Sequence, residues 1–243
     1  GVVLDNNACT ISKTVTISQP SFPVSVNTTV ANISCHGKDD GSIALSVMNG
    51  TSPYTYDWGG AITTQNRTGL TSGNYSVTVT DNNGCSISTG ATITEPTQLV
   101  VSATATNVAC YGDSSGTVSL TASGSFAPYA YSWNDGGSTQ NRNNIPTGNY
   151  NVLLTDNHGC TASASATVSQ PVAPIAITST KGDVSCSGGN TGWVNINVVG
   201  GTSPYTYDWG MATTQNVSNL SAGTYTVTVL DNAVCSSTSS STI

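Results

Sequence analysis

Charge is what this sequence has least of. Of 243 residues 7% are charged, and Lys plus Arg total 5 against 12 Asp plus Glu, for a net charge of -7. The basic residues Lys13, Lys38, Arg67, Arg142 and Lys181 are scattered, so they cannot neutralise a run of phosphates, and nucleic-acid binding is excluded. The same scarcity leaves no basic patch for anionic lipid. Glu is almost absent, and without it the charge pairing that supports surface helices is missing. No apolar run approaches the roughly 20 residues of a membrane-spanning helix, and Gly1 opens no signal peptide. The expectation is a soluble chain with any targeting signal outside it.

What is present is turn and strand material. There are 25 Gly and about 72 Ser and Thr, with short runs rich in Val, Thr, Ile and Tyr, a composition that predicts an all-β protein with many turns. The chain also repeats itself. Pro53-Tyr54-Thr55-Tyr56-Asp57-Trp58 returns as Pro128-Tyr129-Ala130-Tyr131-Ser132-Trp133 and as Pro204-Tyr205-Thr206-Tyr207-Asp208-Trp209, a period of about 75 residues. Each Trp is followed by Thr-Gln-Asn (64–66, 139–141, 214–216), then by a Gly-x-Tyr strand (73–81, 148–156, 223–231), a turn and a Cys. The opening segment repeats only that ending, Asp5 to Cys9 aligning with Asp81 to Cys85.

Pro ends a strand because it cannot donate to the ladder, and it marks boundaries at Gln19-Pro20, Glu95-Pro96 and Gln170-Pro171. The expected organisation is 1–20 as the C-terminal strands of a preceding, truncated repeat, then units 21–96, 97–171 and 172–243. Each unit is expected to hold about seven short strands as an immunoglobulin-like β-sandwich, the units forming a linear array cut from a longer one. Alternation puts Ile43, Leu45 and Val47, with Val118, Leu120, Val194, Ile196 and Val198, on the inward face of the second strand. Trp58, Trp133 and Trp209 match the buried strand-C Trp of such sandwiches. Tyr75, Tyr150 and Tyr225 stand where a tyrosine corner would be, so these six aromatics are the predicted core.

The 7 Cys fall into two sets: Cys35, Cys110 and Cys186 before the second strand, and Cys9, Cys85, Cys160 and Cys235 opening the last. Pairing within units would join Cys35 to Cys85, Cys110 to Cys160 and Cys186 to Cys235, with Cys9 unpaired. Pairing across units would join Cys9 to Cys35, Cys85 to Cys110 and Cys160 to Cys186. Strands leaving a junction in opposite directions at ~3.3 Å per residue carry Cys85 and Cys110 tens of Å apart, beyond the ~7 Å reach of a disulfide. Pairing within units is therefore favoured, with free buried thiols as the alternative. Bonds of either kind place the chain outside the cytoplasm.

Chemistry is sparse. His36 and His158 do not recur and there is no Cys-x-x-Cys, so a zinc site is disfavoured. No nucleophile, base and orienting group break the repeat together, so no catalytic residue is expected and the chain is not read as an enzyme. Asp81, Asp156 and Asp231 are weak Ca²⁺ candidates, with Asp39, Asp40, Asp113 and Asp183 in an earlier loop. An Asx or hairpin turn explains the recurring Asp-Asn more simply, and no cofactor is expected. Trp193 replaces Ser42 and Thr117 of the other units and alternates outward. It is a candidate contact for a sugar or a protein, unless a neighbouring unit or loop covers it.

Taken in register, Cys-x-Gly, Pro-Tyr-x-Tyr-x-Trp, Leu/Ile-x-x-Gly-x-Tyr-x-Val and Asp-Asn-x-Gly-Cys resemble the SprB-type repeat of Bacteroidota surface proteins over nearly the whole chain. Ala233-Val234 departs from the usual Asn-Gly, and Ser187 precedes the Gly of the third unit. The resemblance implies long secreted adhesins, exported by type IX secretion, displayed as filaments on the outer membrane and, in gliding species, moved for traction. It offers no catalytic residues. The expected function is a stalk or filament segment whose partners are neighbouring repeats, other copies and surface polysaccharide. A carbohydrate- or protein-binding module and an ancillary domain of a secreted hydrolase are the alternatives.

Overall fold

The computed structural model describes residues 1–17 and 22–243, so the expected boundary at Gln19-Pro20 lies outside the described residues. The chain divides into two compact units, Gly1–Thr97 and Gln98–Ile243. All regular elements among the described residues are β-strands.

The first unit opens with a hairpin of β1 (Val2–Leu4) and β2 (Thr10–Ser12), Val3 facing Ile11. Its sandwich is built from β3 (Ser25–Ala31), β4 (Gly41–Met48), β5 (Thr55–Asp57), β6 (Arg67–Leu70), β7 (Gly73–Thr80) and β8 (Ser86–Ile93). These form two three-stranded antiparallel sheets, β3-β4-β6 and β5-β7-β8.

The second unit holds two sandwiches of the same design. One comprises β9 (Val100–Thr106), β10 (Gly116–Ser123), β11 (Ala130–Trp133), β12 (Arg142–Ile145), β13 (Gly148–Thr155) and β14 (Thr161–Val168). The other comprises β15 (Ala176–Gly182), β16 (Gly192–Val199), β17 (Thr206–Asp208), β18 (Val217–Leu220), β19 (Thr224–Leu230) and β20 (Ser236–Thr242). Their sheets are β9-β10-β12 with β11-β13-β14, and β15-β16-β18 with β17-β19-β20.

First, second and fourth strands facing third, fifth and sixth is the immunoglobulin arrangement A-B-E against C-F-G. The strand count is six per sandwich, where the turn spacing predicted about seven. The segment between the third and fourth strands is too short to lay down strand D, and side chains take over that edge, as described below.

Alternation places the core. Ile43 and Leu45 of β4, Val77 and Val79 of β7 and Ile93 of β8 are buried together, and the equivalent residues Val118, Leu120, Val152 and Val168 fill the second sandwich. Val194, Ile196, Val227 and Val229 do so in the third. Trp133, Tyr150 and Trp209 are buried, while Trp58, Tyr75 and Tyr225 are half-buried and packed against their cores. Each tyrosine corner closes, with Tyr75 Oη donating to Thr71 O at 3.0 Å, Tyr150 Oη to Pro146 O at 2.9 Å and Tyr225 Oη to Ser221 O at 3.0 Å. The Pro of each Pro-Tyr-x-Tyr-x-Trp motif follows a cis peptide bond. Gly41 opens β4 at a register shift, where a Cβ would lie 2.8 Å from Leu70 O, so the strand must start on glycine.

Chain direction gives each sandwich two distinct ends. One end, called lower here, carries the turn between first and second strands and the finish of the last strand: Val108 N donates to Ser169 O at 2.8 Å and Ile33 N to Thr94 O at 3.1 Å. The upper end carries the turn between fifth and sixth strands, where Asp81, Asp156 and Asp231 sit.

Candidate functional site

The chemistry that recurs from sandwich to sandwich gathers at their two ends. At the upper end Asp81 is buried, yet every observed partner is a donor. Its Oδ1 accepts the N–H groups of Asn83 and Cys85, each at 2.9 Å, and its Oδ2 accepts Thr51 N–H at 3.0 Å. Asp231 does the same with Ala233, Cys235 and Thr202 at 2.9, 2.9 and 2.8 Å. Asp156 accepts His158 and Cys160 N–H at 2.8 Å each and Phe126 N–H at 3.3 Å, with Ser125 Oγ as a further donor. In the hairpin, Asp5 Oδ1 receives Asn7 and Cys9 N–H at 2.9 Å.

Donors surrounding a carboxylate favour its ionised form. Hydrogen bonds led by Thr51 N–H hold Asp81 below the usual carboxylate range. Burial pushes Asp156 up, but Ser125 and the N–H groups of Cys160, His158 and Phe126 outweigh it and bring the pKa to about 2. Oxygens aimed at N–H groups are the geometry of an Asx turn, not of a cation cradle, which needs them turned toward a shared centre. No group of three or more His, Cys, Asp or Glu suited to a metal occurs among the described residues.

That turn presents a thiol. Cys235 is disulfide-bonded to Cys110, with a Cα–Cα distance of 5.6 Å, so the bolt joins the upper end of the third sandwich to the lower end of the second. Cys35 and Cys160 are disulfide-bonded as well, whereas Cys9, Cys85 and Cys186 are free and exposed. The expected pairs Cys35 with Cys85, Cys110 with Cys160 and Cys186 with Cys235 are therefore corrected. The physical reason is that each would have to span its own sandwich. Cys110 lies beside the finish of β14 and Cys160 beside its start, and a strand of 8 residues runs about 27 Å at roughly 3.4 Å per residue.

The lower end is tied down by side chains. Asn107 Oδ1 accepts Ser169 N–H at 2.9 Å and Gln170 Oε1 accepts Gly112 N–H at 2.9 Å, fixing the loop that carries Cys110. In the first sandwich Asn32 accepts Thr94 N–H at 3.0 Å, and Glu95 accepts Gly37 N–H at 3.0 Å beside His36 at 3.3 Å. Where the second and third sandwiches meet, Asn107, Ala109 and Pro171 face Thr202 and Ala233 across a narrow cleft, and Cys235 Sγ lies 3.5 Å from Ala109 O.

Thr-Gln-Asn, which sequence reasoning noted only as a repeat marker, has a defined role. The Thr carbonyls of 64, 139 and 214 accept the indole N–H of Trp58, Trp133 and Trp209 at 2.8, 2.8 and 2.9 Å. Gln140 Nε2 donates to Leu120 O at 3.0 Å while Asn141 Oδ1 accepts Leu120 N–H at 3.0 Å. Gln65 and Asn66 do this for Leu45, and Gln215 and Asn216 for Ile196. Two amide side chains thus satisfy the backbone of the second strand where the short fourth strand has not yet begun. Amides recurring at a fixed distance after a buried Trp were the available signal.

Trp193 is 37% exposed and on the outward face, as alternation predicts. Its indole lies over Gly182 on the paired strand β15, in the space a Cβ would take. The equivalent pairs are Ala31 with Ser42 and Thr106 with Thr117, so the large residue and the glycine occur together.

Tandem immunoglobulin-like β-sandwiches define the class. The SprB repeat family model matches residues 27–63, 102–138 and 178–214, so the chain carries three SprB repeats, repeat modules of the kind found in cell-surface proteins. Among solved structures, fibronectin(III)-like modules of Clostridium thermocellum CbhA are 21% identical, covering 60% of this chain and 94% of that one at a TM-score of 0.27. The N-terminal eight Ig domains of the Down Syndrome Cell Adhesion Molecule are 12% identical, covering 90% and 32% at 0.31. The Dpr2 and DIP-Theta Ig-domain complex is 9% identical, covering 91% and 99% at 0.32. No curated protein matches significantly.

Proposed function

We propose that this chain is a non-catalytic stalk or filament segment of a large secreted cell-surface adhesin, exported to the outer membrane surface. The observation that carries this reading is the bolt between the second and third sandwiches. Cys110 to Cys235 links the lower end of one repeat to the upper end of the next, which resists bending and pulling apart at a joint. A spacer under load needs that property, whereas a catalyst or an independent binding module does not. The sandwich faces suit the role too, since a Ser/Thr-rich, weakly charged surface offers little to nonspecific partners.

Antibodies raised against the chain test the reading on intact cells of its source organism. Gold labelling away from the outer membrane, lost on brief surface proteolysis, is the expected result. Label confined to lysed cells would overturn it. Gliding motility is a narrower expectation within the same reading, checked by whether the same antibody fragments arrest moving cells.

A further inference from the structure

The second sandwich pairs an arginine on its fourth strand with a carboxylate, and the first keeps the arginine without the carboxylate. Arg142 Nε and Nη2 both donate to Asp135 Oδ2, at 3.1 and 2.6 Å. Arg67 opens β6 as Arg142 opens β12, but the second residue after the Trp, Asp135 in the second sandwich, is Gly60 in the first. The nearest carboxylate along the chain, that of Asp57, accepts Gly59 N–H at 2.8 Å. Among the described residues Arg67 has no ion pair and no hydrogen bond. No buried side-chain nitrogen or oxygen among them lacks a partner, so the guanidinium N–H groups of this half-buried arginine reach solvent.

That guanidinium is also held in place. Its carbon lies 5.7 Å from the centre of the Trp58 ring and 5.3 Å from that of Tyr75, within the range of cation–π attraction. Both rings are fixed in turn, since Trp58 Nε1 donates to Thr64 O at 2.8 Å and Tyr75 Oη to Thr71 O at 3.0 Å. One side chain explains why Arg67 takes this shelf. Arg142 packs on Gly137, where a Cβ would lie 2.5 Å from the guanidinium carbon, and the equivalent residue of the first sandwich is Ile62, whose side chain needs that space. A Cβ on Gly60 would meet nothing within 4 Å, so the place corresponding to Asp135 is open.

We propose that Arg67, shelved on Trp58 and Tyr75, binds an external carboxylate in the role Asp135 plays for Arg142, and that the ligand is a uronic-acid polysaccharide. A guanidinium already fixed between rings loses little freedom on binding, and its planar donors match a carboxylate. The surroundings favour a sugar acid over an acidic peptide. One cation serves the site in a chain of net charge -7, so a dense run of carboxylates is repelled beyond the first contact. A polysaccharide spaces its carboxylates and surrounds them with hydroxyls, for which the exposed, uncharged Gly59, Gly60 and Thr63 offer backbone groups and a hydroxyl. A single contact of this kind is weak, and a polymer that repeats it gains by engaging many displayed chains at once. The site adds a ligand to the segment and holds or fails independently of the stalk reading.

The test titrates the whole chain with oligogalacturonate and follows the arginine Nε–H resonances by NMR. A saturable shift of Arg67 with Arg142 unmoved is expected, and the methyl-esterified oligosaccharide, which lacks the charge, should give none. Arg67→Gln should weaken binding about tenfold or more, the scale of a hydrogen bond to a charged group. Gly60→Asp should do the same while keeping Arg67, because it supplies the carboxylate internally, and Asp tolerates the positive φ there better than most residues. Unchanged melting of both variants shows that lost binding reports the site and not the fold. No saturable shift, equal binding by Arg67→Gln, equal binding of the neutral ester, or oligoglutamate of matched charge binding as tightly as oligogalacturonate would overturn the proposal.

Discussion

Two single residues show how much the meaning of a side chain depends on what faces it. Asp156 is held to about 2 against an ordinary value of 3.8. A carboxyl lowered in the folded state stabilises the fold fully above its unfolded pKa, and that stability is lost as pH falls from about 4 toward 2. Asp156→Asn should therefore lower the urea midpoint at pH 7, with the gap to the parent closing at pH 2. An equal loss at both would show that the charge is irrelevant. Trp193 invites a ligand in the sequence, but in the fold it covers Gly182. Trp193→Ala should destabilise by about 1 kcal/mol, the scale of a cross-strand pair. Gly182→Thr should harm the parent, whose indole needs that space, yet rescue Trp193→Ala by recreating the Thr106 and Thr117 pairing of the second sandwich. If denaturant midpoints do not move while sugar binding disappears, the cover is incidental and the tryptophan is a ligand contact.

At the scale of the element, the strands follow their alternation and the edges follow something else. β10 pairs with β12 only from Gly116 to Val118, and further along its backbone is satisfied by Gln140 and Asn141. Removing either amide leaves a backbone group of Leu120 without its partner, which costs about 1–3 kcal/mol when the group is shielded from water. Asn141→Ala should show that loss in equilibrium unfolding, and Asn143→Ala on the exposed β12 should show almost none. Equal effects at the two positions would mean that water replaces the amide. Strand existence and inward faces were legible because period-2 patterning is local. The absence of a seventh strand was not, since amide side chains standing in for a strand look like ordinary turn residues.

Across the whole molecule, the cysteines decide whether the sandwiches act alone or together. Cys110 and Cys235 are 125 residues apart, and closing so long a loop stabilises by about 4–5 kcal/mol in the chain-entropy model. Cys110→Ser should lower the thermal midpoint of the second and third sandwiches and separate their transitions in calorimetry, with small-angle scattering showing a broader range of shapes. A single unchanged transition would mean that the bolt adds nothing to the contact around it.

The sequence by itself determined the period, the all-β class, the inward residues of each strand, the Trp and Tyr of each core and the family. All of these depend on neighbours within a few residues or on comparison of one repeat with the next. The tertiary structure alone decided which thiols meet. Two sets of cysteines at a constant period are compatible with several pairings, and the choice turns on which end of a sandwich each set occupies. Strand direction places the two sets at opposite ends, so a cysteine reaches the next repeat more easily than its own.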